Sequence, residues 1–372
     1  MKILHTGDWH IGRRLNGMDL IEDQKHVLDQ IVDYIRETQI DVCVIAGDIF
    51  DRSNPPQAAL KLVNDYLYKI NIELGVPVLA ISGNHDSKPR LEYGSYWFEK
   101  SRYHMRTQIE NILEPVVIGN THFYMVPYLD VLEAKVYFED DTIVTHHNVY
   151  ERVTAEIYDV MDPEAYNVFI GHMFMAEGKA SESERPLSIG LSEEVSASLF
   201  ERFDLVLLGH LHHPFAITRE SIFYSGSLLK YSFSEVSQPK GFRVIQTDAG
   251  AACRFIPLKQ RHDLVQYHGS FDDVINERVG FEDSTAYFKF ELTDMQSISD
   301  PMARLKLLYP NTLELRPVFS EREKSESAID IKAADDREIF QSFISQVYGG
   351  EMTDYQKEIF HQYFTGDTDE TD

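Results

Sequence analysis

Five short apolar runs in this sequence each end on side chains of the kind that hold metal ions. Asp8-Trp9-His10 follows Ile3–His5, Gly47-Asp48 follows Val42–Ala46, and Gly83-Asn84-His85-Asp86 follows Val76–Ile81. Gly171-His172 follows Val168–Ile170, and Gly209-His210-Leu211-His212 follows Leu205–Leu208. Strands of one sheet end along a common edge, so residues spread from position 8 to position 212 can meet at one point. Carboxylates, imidazoles and an amide gathered there suit a pair of divalent cations, and a cation pair suits phosphate ester hydrolysis.

The spacing within each run supports this. Asp8 and His10 are two apart, which on an extended segment points both to one side. Asp48 offers a carboxylate able to bridge two ions, Asn84 a neutral oxygen, and His172, His210 and His212 ring nitrogens. Asp8 and Asp48 offset about two of the roughly four charges that two dications carry, leaving about two for a hydroxide and a phosphodiester. Donors of nitrogen and oxygen without thiolate fit manganese, iron or zinc better than magnesium. Such a pair would hold hydroxide in line with phosphorus and polarise the non-bridging oxygens. Taken singly, each motif has a bland reading: a strand-end pair, a turn cap or two surface histidines. Their order and their common strand-end setting make chance a poor account. His146-His147 is the rival to His172; the glycine before His172 repeats the pattern of the other motifs, so His172 is the expected ligand.

Around these motifs the first half alternates strand and helix, which implies a largely parallel sheet. Ile21–Gln39 reads as a helix with Val27, Leu28, Ile31, Val32 and Ile35 on one face, and a second helix opens at Asn54-Pro55-Pro56. Closely spaced strands follow at Val116–Ile118, Phe123–Val126, Thr142–Thr145, Val168–Ile170, Leu205–Leu208 and Ile222–Tyr224. Two more, Gly241–Ile245 and Cys253–Leu258, flank a hairpin-like turn. They suggest a second, more antiparallel sheet facing the first. The fold expected is an α/β sandwich of two sheets over residues 1–265, then a small α+β capping domain over 266–320. The latter would contain strand Ala286–Leu292, helix Pro301–Leu308 and strand Leu313–Val318. A charged linker is expected over 321–336, a pair of amphipathic helices over 337–364 broken at Gly349-Gly350, and an acidic tail over 365–372.

Composition narrows the partners. Against 35 basic residues stand 61 acidic ones, a net charge of −26, so nucleic acid could be held only by metal charge and local basic groups. Arg13, Arg14, Lys88 and Arg90, next to the first and third motifs, are such candidates, though each alone reads as a surface charge. Two cysteines, Cys43 and Cys253, give no disulfide framework or thiolate zinc site. The start reaches Asp8 too soon for a signal peptide, and no apolar run approaches membrane-spanning length; the expectation is a soluble, cytoplasmic protein with no membrane association.

Together, Asp-x-His, Gly-Asp-x-x-Asp, Gly-Asn-His-Asp, Gly-His and Gly-His-x-His resemble the signature of the calcineurin-like metallophosphoesterase superfamily. Longer strings resemble a narrower group of nuclease subunits from DNA-repair complexes: HTGDWHIGR at 5–13, GDIFD at 47–51, SGNHDS at 82–87, SESERPL at 181–187, LGHLHHP at 208–214 and YSGSLLKYSFSE at 224–235. The resemblance covers the first 260 or so residues strongly and the rest by layout. It implies one ion on Asp8, His10, Asp48 and His212, and another on Asp48, Asn84, His172 and His210, with Mn²⁺ the expected metal. It also implies that His85 contacts the scissile phosphate rather than metal, with Asp86 and Asp51 orienting the site; some relatives carry His where Asp51 stands. The implied partners are DNA, a coiled-coil ATPase gripped by the C-terminal helices, and a second copy, making a homodimer within a heterotetramer. The implied activity is exonuclease cleavage of double-stranded DNA and endonuclease cleavage of single strands and hairpins, in repair, recombination and replication. Two other readings stand beside it: a phosphoesterase acting on a small molecule, cyclic nucleotide or phosphoprotein, and a non-catalytic scaffold on the same fold. The C-terminal modules speak against the first, the intact ligand set against the second.

Overall fold

The structure, a computed structural model, describes residues 1–176, 178, 181–184, 193–217, 219–249, 252–295, 298–318, 339–341, 353–357 and 359. Most of the expected C-terminal helix pair, the linker and the acidic tail lie outside these residues. The chain divides into two compact units. One comprises Met1–Gln266, Glu282–Lys289 and Tyr309–Glu314; the other comprises Tyr267–Phe281, Phe290–Leu308 and the residues from Leu315 onward.

Alternation of apolar residues between two faces builds the first unit. Strands β1 (Lys2–Thr6), β2 (Val42–Ala46), β3 (Val78–Ile81) and β4 (Tyr103–Arg106) run parallel. A second series comprises β5 (Val116–Ile118), β6 (Thr121–Met125), β7 (Tyr166–His172), β8 (Leu205–Gly209) and β9 (Ile222–Tyr224). Strands β10 (Gly241–Gln246) and β11 (Ala252–Pro257) form the hairpin that the sequence suggests. Among the described residues the six-stranded sheet has the order β11-β10-β1-β2-β3-β4 and the five-stranded sheet the order β9-β8-β7-β6-β5. Ile3, Val42, Val44, Leu79 and Ile81 of one sheet face Phe123, Val168, Ile170, Leu205 and Leu207 of the other in a single dry layer. The alternate residues Leu4, Cys43, Ile45 and Ala80 face outward against α1 (Ile21–Glu37) and α2 (Gln57–Tyr68). On the far side, Phe169, Val206 and Leu208 pack with Val149, Val153 and Ile157 of a later helix, so the unit is a four-layer sandwich.

Three expectations fail here. The second sheet is mainly parallel: β6–β7, β7–β8 and β8–β9 pair in parallel, and β5–β6 is its antiparallel pair. The β10–β11 hairpin joins the first sheet instead, where β10 pairs antiparallel with β1. Thr142–Thr145 is no strand: Thr145 caps a helix, its hydroxyl accepting from Asn148 N–H at 3.2 Å. After α3 (Val131–Tyr137), that helix, α4 (His146–Val160), completes the crossover that lets β6 and β7 run parallel.

Further on, β12 (Leu264–Ser270), β13 (Tyr287–Thr293) and β14 (Thr312–Pro317) form a three-stranded sheet accompanied by α5 (Phe271–Ile275) and α6 (Pro301–Leu308). The strand, helix and strand expected over 286–318 are thus present. No helix among the described residues is long and apolar enough to cross a membrane.

Candidate metal centre

Strands β1, β2 and β3 of one sheet and β7 and β8 of the other deliver their ends to one place. Beyond β1 and β2 the two loops stay laddered: Asp8 N–H donates to Gly47 O at 3.1 Å and His10 N–H to Asp48 O at 2.9 Å. Asp8, His10, Asp48 and His210 all have positive φ, at 49°, 44°, 49° and 99°. A non-glycine residue held there stores about 1–3 kcal/mol of strain, and such strain gathers where side-chain aim matters more than stability.

The side chains converge accordingly. Candidate ligand atoms of Asp8, His10 and His212 lie within 4.8 Å of one another, as do those of Asp8, Asp48 and His172. His10 Nε2 and His212 Nε2 are 3.0 Å apart, and Asp48 Oδ2 stands 3.6 Å from the former. His172 Nε2 is 3.0 Å from Asn84 Oδ1 and 3.4 Å from Asp48 Oδ2. The His210 ring packs edge-on to His172, with centroids 5.3 Å apart, while its backbone N–H donates to both Asp8 oxygens at 2.9 and 3.1 Å. His146 and His147 lie elsewhere, at the start of α4. His146 faces Tyr128, and His147 Nδ1 accepts from Ser196 N–H.

Whether these residues fit a cation can be judged from where their protons go. His172 Nδ1 faces the Ala46 carbonyl at 2.9 Å; a carbonyl can only accept, so Nδ1 carries a proton and the neutral ring offers its lone pair at Nε2. His212 Nδ1 faces Ser183 Oγ at 2.7 Å and Glu235 at 3.3 Å, which likewise turns its Nε2 lone pair inward. Two imidazoles, in their neutral form, two carboxylates and one amide therefore crowd lone pairs into one buried space that only protons or cations can satisfy. That is a donor set made for divalent cations.

Electrostatics agrees. Burial holds His10 and His210 well below the ordinary histidine range, so both are neutral. Burial would do the same to His172, but the Asp48 charge and hydrogen bond outweigh it and lift His172 to about 9. Asp48 is held well below its usual value: burial would raise it, and the His172 charge and hydrogen bond prevail. Burial lifts Asp8 to about 7, with the His172 charge opposing and the Asp48 charge reinforcing.

His85 sits at the rim of this cluster. Its Nδ1 lies 2.7 Å from the backbone carbonyl of Asp51, which leaves Nε2 facing the site at 3.9 Å from Asp48 Oδ2. Its backbone N–H donates to Asp48 Oδ1 at 2.9 Å. Asp51 thus contacts His85 through its main chain, while its carboxylate pairs with Arg13 at 3.3 Å. Asp86 does not reach the histidine ring. It accepts from the N–H groups of Ile49, Phe50 and Gly83 at 2.9–3.1 Å and so ties the second and third motif loops together. Arg13, read above as a surface charge, is largely buried and donates to Ser183 O at 3.0 Å.

Several residues that shape the site carry no chemical signature in the residue pattern. Gln24 of α1 donates to His10 O at 2.8 Å and accepts from Gly12 N–H at 3.0 Å. Glu184 accepts from the His212 N–H at 2.6 Å. Ser183, Glu235 and Lys240 form a buried network behind His212. The strings at 181–187 and 224–235 pointed to the neighbourhood of Ser183, Glu184 and Glu235, and nothing pointed to Gln24 or Lys240.

Over residues 1–214 the sequence matches the profile of the calcineurin-like phosphoesterase family, and over 260–348 that of the type 5 capsule protein repressor C-terminal domain. It is 42% identical over 368 residues to the SbcD subunit of the nuclease SbcCD from Staphylococcus saprophyticus subsp. saprophyticus, with 98% of each chain covered. Among solved structures, one from Thermus thermophilus is similar with a TM-score of 0.42 at 14% identity, covering 69% of this chain and 99% of its own. A dimetal phosphatase from Danio rerio gives 0.41 at 12% identity, over 66% of this chain and 92% of its own.

Proposed function

This chain belongs to the SbcD family of calcineurin-like phosphoesterases, and on that footing we propose that it is a two-metal DNA nuclease working with an SbcC-type ATPase. The observation that carries the reading is the convergence of Asp8, His10, Asp48, Asn84, His172, His210 and His212 from five strand ends onto one buried space. We assign one ion to Asp8, His10, Asp48 and His212, and the other to Asp48, Asn84, His172 and His210. Mn²⁺ suits this mixture of nitrogen and oxygen donors. When bound, such a pair supplies positive charge for a phosphodiester and activates water.

The chain's own groups do the rest. His85 presents Nε2 to the site while the Asp51 carbonyl holds Nδ1, so this ring is placed to touch the scissile phosphate, stabilising the transition state or, as the imidazolium, giving its Nε2 proton to the leaving oxygen. Asp86 fixes the loop that carries both Asn84 and His85. A second copy of the chain has a candidate seat as well. Tyr93, Tyr96 and Trp97 are 79%, 80% and 74% exposed, beside a groove lined by Leu60, Leu67, Ile72, Leu91, Phe98 and Tyr103. So much exposed aromatic surface supports pairing of two nuclease chains.

The deciding experiment offers end-labelled duplex DNA and a small chromogenic phosphodiester to the protein with Mn²⁺, alone and with its ATPase partner. Cleavage of DNA that chelator abolishes is expected. Activity on the small ester with none on DNA, partner included, would sink the nuclease reading. His85→Ala should remove cleavage while two Mn²⁺ stay bound; loss of the ions instead would move this histidine into the ligand set.

A further inference from the structure

We propose that Glu235 is a positioning residue for His212, a carboxylate anchored by Lys240 that locks the ring with Nε2 towards the ion position it shares with His10. The inference rests on the metal reading above and extends it to residues outside the ligand set.

Glu235 is fully buried and Lys240 is 3% exposed. A carboxylate can only accept, so the Ser183 hydroxyl donates to Glu235 Oε1. The Ser183 oxygen is then free to accept from His212 Nδ1–H at 2.7 Å, and Glu235 Oε1 also lies 3.3 Å from the same nitrogen. The other carboxylate oxygen is held by Lys240 Nζ at 2.6 Å and by the Tyr231 N–H at 3.3 Å. Lys240 further donates to the His212 carbonyl at 3.0 Å and to Ser227 Oγ at 2.9 Å. One ammonium therefore grips both the carboxylate behind the imidazole and the main chain of the same residue. Glu184 grips the third handle, the His212 N–H, at 2.6 Å.

Stability gives little reason for such an arrangement. A buried ion pair costs more to desolvate than an apolar pair of similar volume and is weak evidence of added stability. A specific reason is the ring: with Nδ1 bound to an acceptor, the tautomer is fixed and Nε2 is more basic. The two halves of the metal centre are unequal in this respect. His172 leans on a neutral main-chain carbonyl, Ala46 O, which no side-chain change removes. His212 leans on an ionised side chain. Removing Glu235 should therefore weaken one ion and spare the other.

The test is a Mn²⁺ titration of the metal-stripped full chain by calorimetry, with thermal unfolding of the metal-free protein alongside. Wild type should take up two ions. In Glu235→Gln, one should bind about 10–100-fold more weakly and the other unchanged. Ser183→Ala should show a smaller loss on the same ion, and Ser183→Thr, which keeps the hydroxyl, should recover it. Wild-type affinity for both ions in Glu235→Gln and Ser183→Ala would overturn the proposal. So would equal weakening of both ions together with a lower metal-free melting temperature, because that is the mark of a structural role alone. Should Glu235→Gln not fold, the contrast between Ser183→Ala and Ser183→Thr decides the matter by itself. A wild-type chain that takes up no Mn²⁺ would bring down the metal reading first, and this inference with it.

Discussion

Under the ligand assignment proposed above, proton and metal compete for the same atoms. His172 is lifted to about 9 by Asp48 against the effect of burial, and Asp8 to about 7 by burial. Below those values the metal-free site holds protons on ligand atoms, and a cation must expel them. Mn²⁺ affinity should therefore climb as pH rises from about 7 to about 9. The binding enthalpy should also vary with buffer as protons leave. A titration that is flat over that range, with no proton release, would show that the metal does not meet His172 and Asp8. At this scale the seven candidate ligands were legible because each ends an apolar run. Gln24, Glu184 and Glu235 were not, because a buried polar residue that acts through a hydrogen bond has no characteristic spacing. Asp51 touches His85 with its carbonyl, a contact to which side-chain identity is blind.

What brings the two sheets together at the site is the bareness of their strand ends. A Cβ built on Gly209 would lie 1.9 Å from the Ala46 carbonyl oxygen, and one on Gly47, whose φ is +87°, would lie 2.5 Å from His172 Nδ1. Gly209→Ala must push β8 away from β2, a change at or above the upper end of the usual range of about 1–3 kcal/mol for overpacking. Both ions should be weakened together, which calorimetry would separate from the one-sided loss expected of Glu235→Gln. Affinity and melting temperature like those of wild type would mean that the sheets do not approach so closely in solution. Helix α4 carries a milder prediction. Thr145→Ala removes the cap on Asn148 N–H and should cost about 1 kcal/mol in denaturant unfolding, with metal binding intact. The same Thr145 explains one misreading, since a β-branched run before a histidine pair looks like a strand until its last hydroxyl is seen to cap a helix. The parallel second sheet was hidden for a related reason. Among the described residues no helix intervenes between β8 (Leu205–Gly209) and β9 (Ile222–Tyr224), so their close spacing suggested a more antiparallel sheet.

For the molecule as a whole, a net charge of −26 sets the terms of any encounter with DNA. About half of that excess lies in the last hundred residues, away from the ligand motifs. Near the site, Lys88 pairs with Glu133 and Arg13 with Asp51, so even the local cations are partly spent. Binding by this chain alone should be weak and fall steeply with salt, about 0.9 decades per decade of salt for each phosphate contacted. Tight binding at high salt without the ATPase partner would contradict that. Pairing of copies can be tested separately: Tyr96→Glu with Trp97→Glu should shift the mass measured by light scattering to that of a monomer. An unchanged mass would place the contact elsewhere.

The neighbours of β1 have a bearing on how the chain is made. Ile3 pairs with Val42 on one side and with Ile245 on the other, so the strand that carries Asp8 and His10 stays one-sided until residue 246 has left the ribosome. For most of synthesis an apolar strand edge is open to the wrong partner, a known route to misassembly. Fragments that stop before β10 should therefore collect in inclusion bodies, although they contain every proposed ligand. A nuclease centre whose first strand gains its second neighbour only with β10 should cut nothing until that strand has been made.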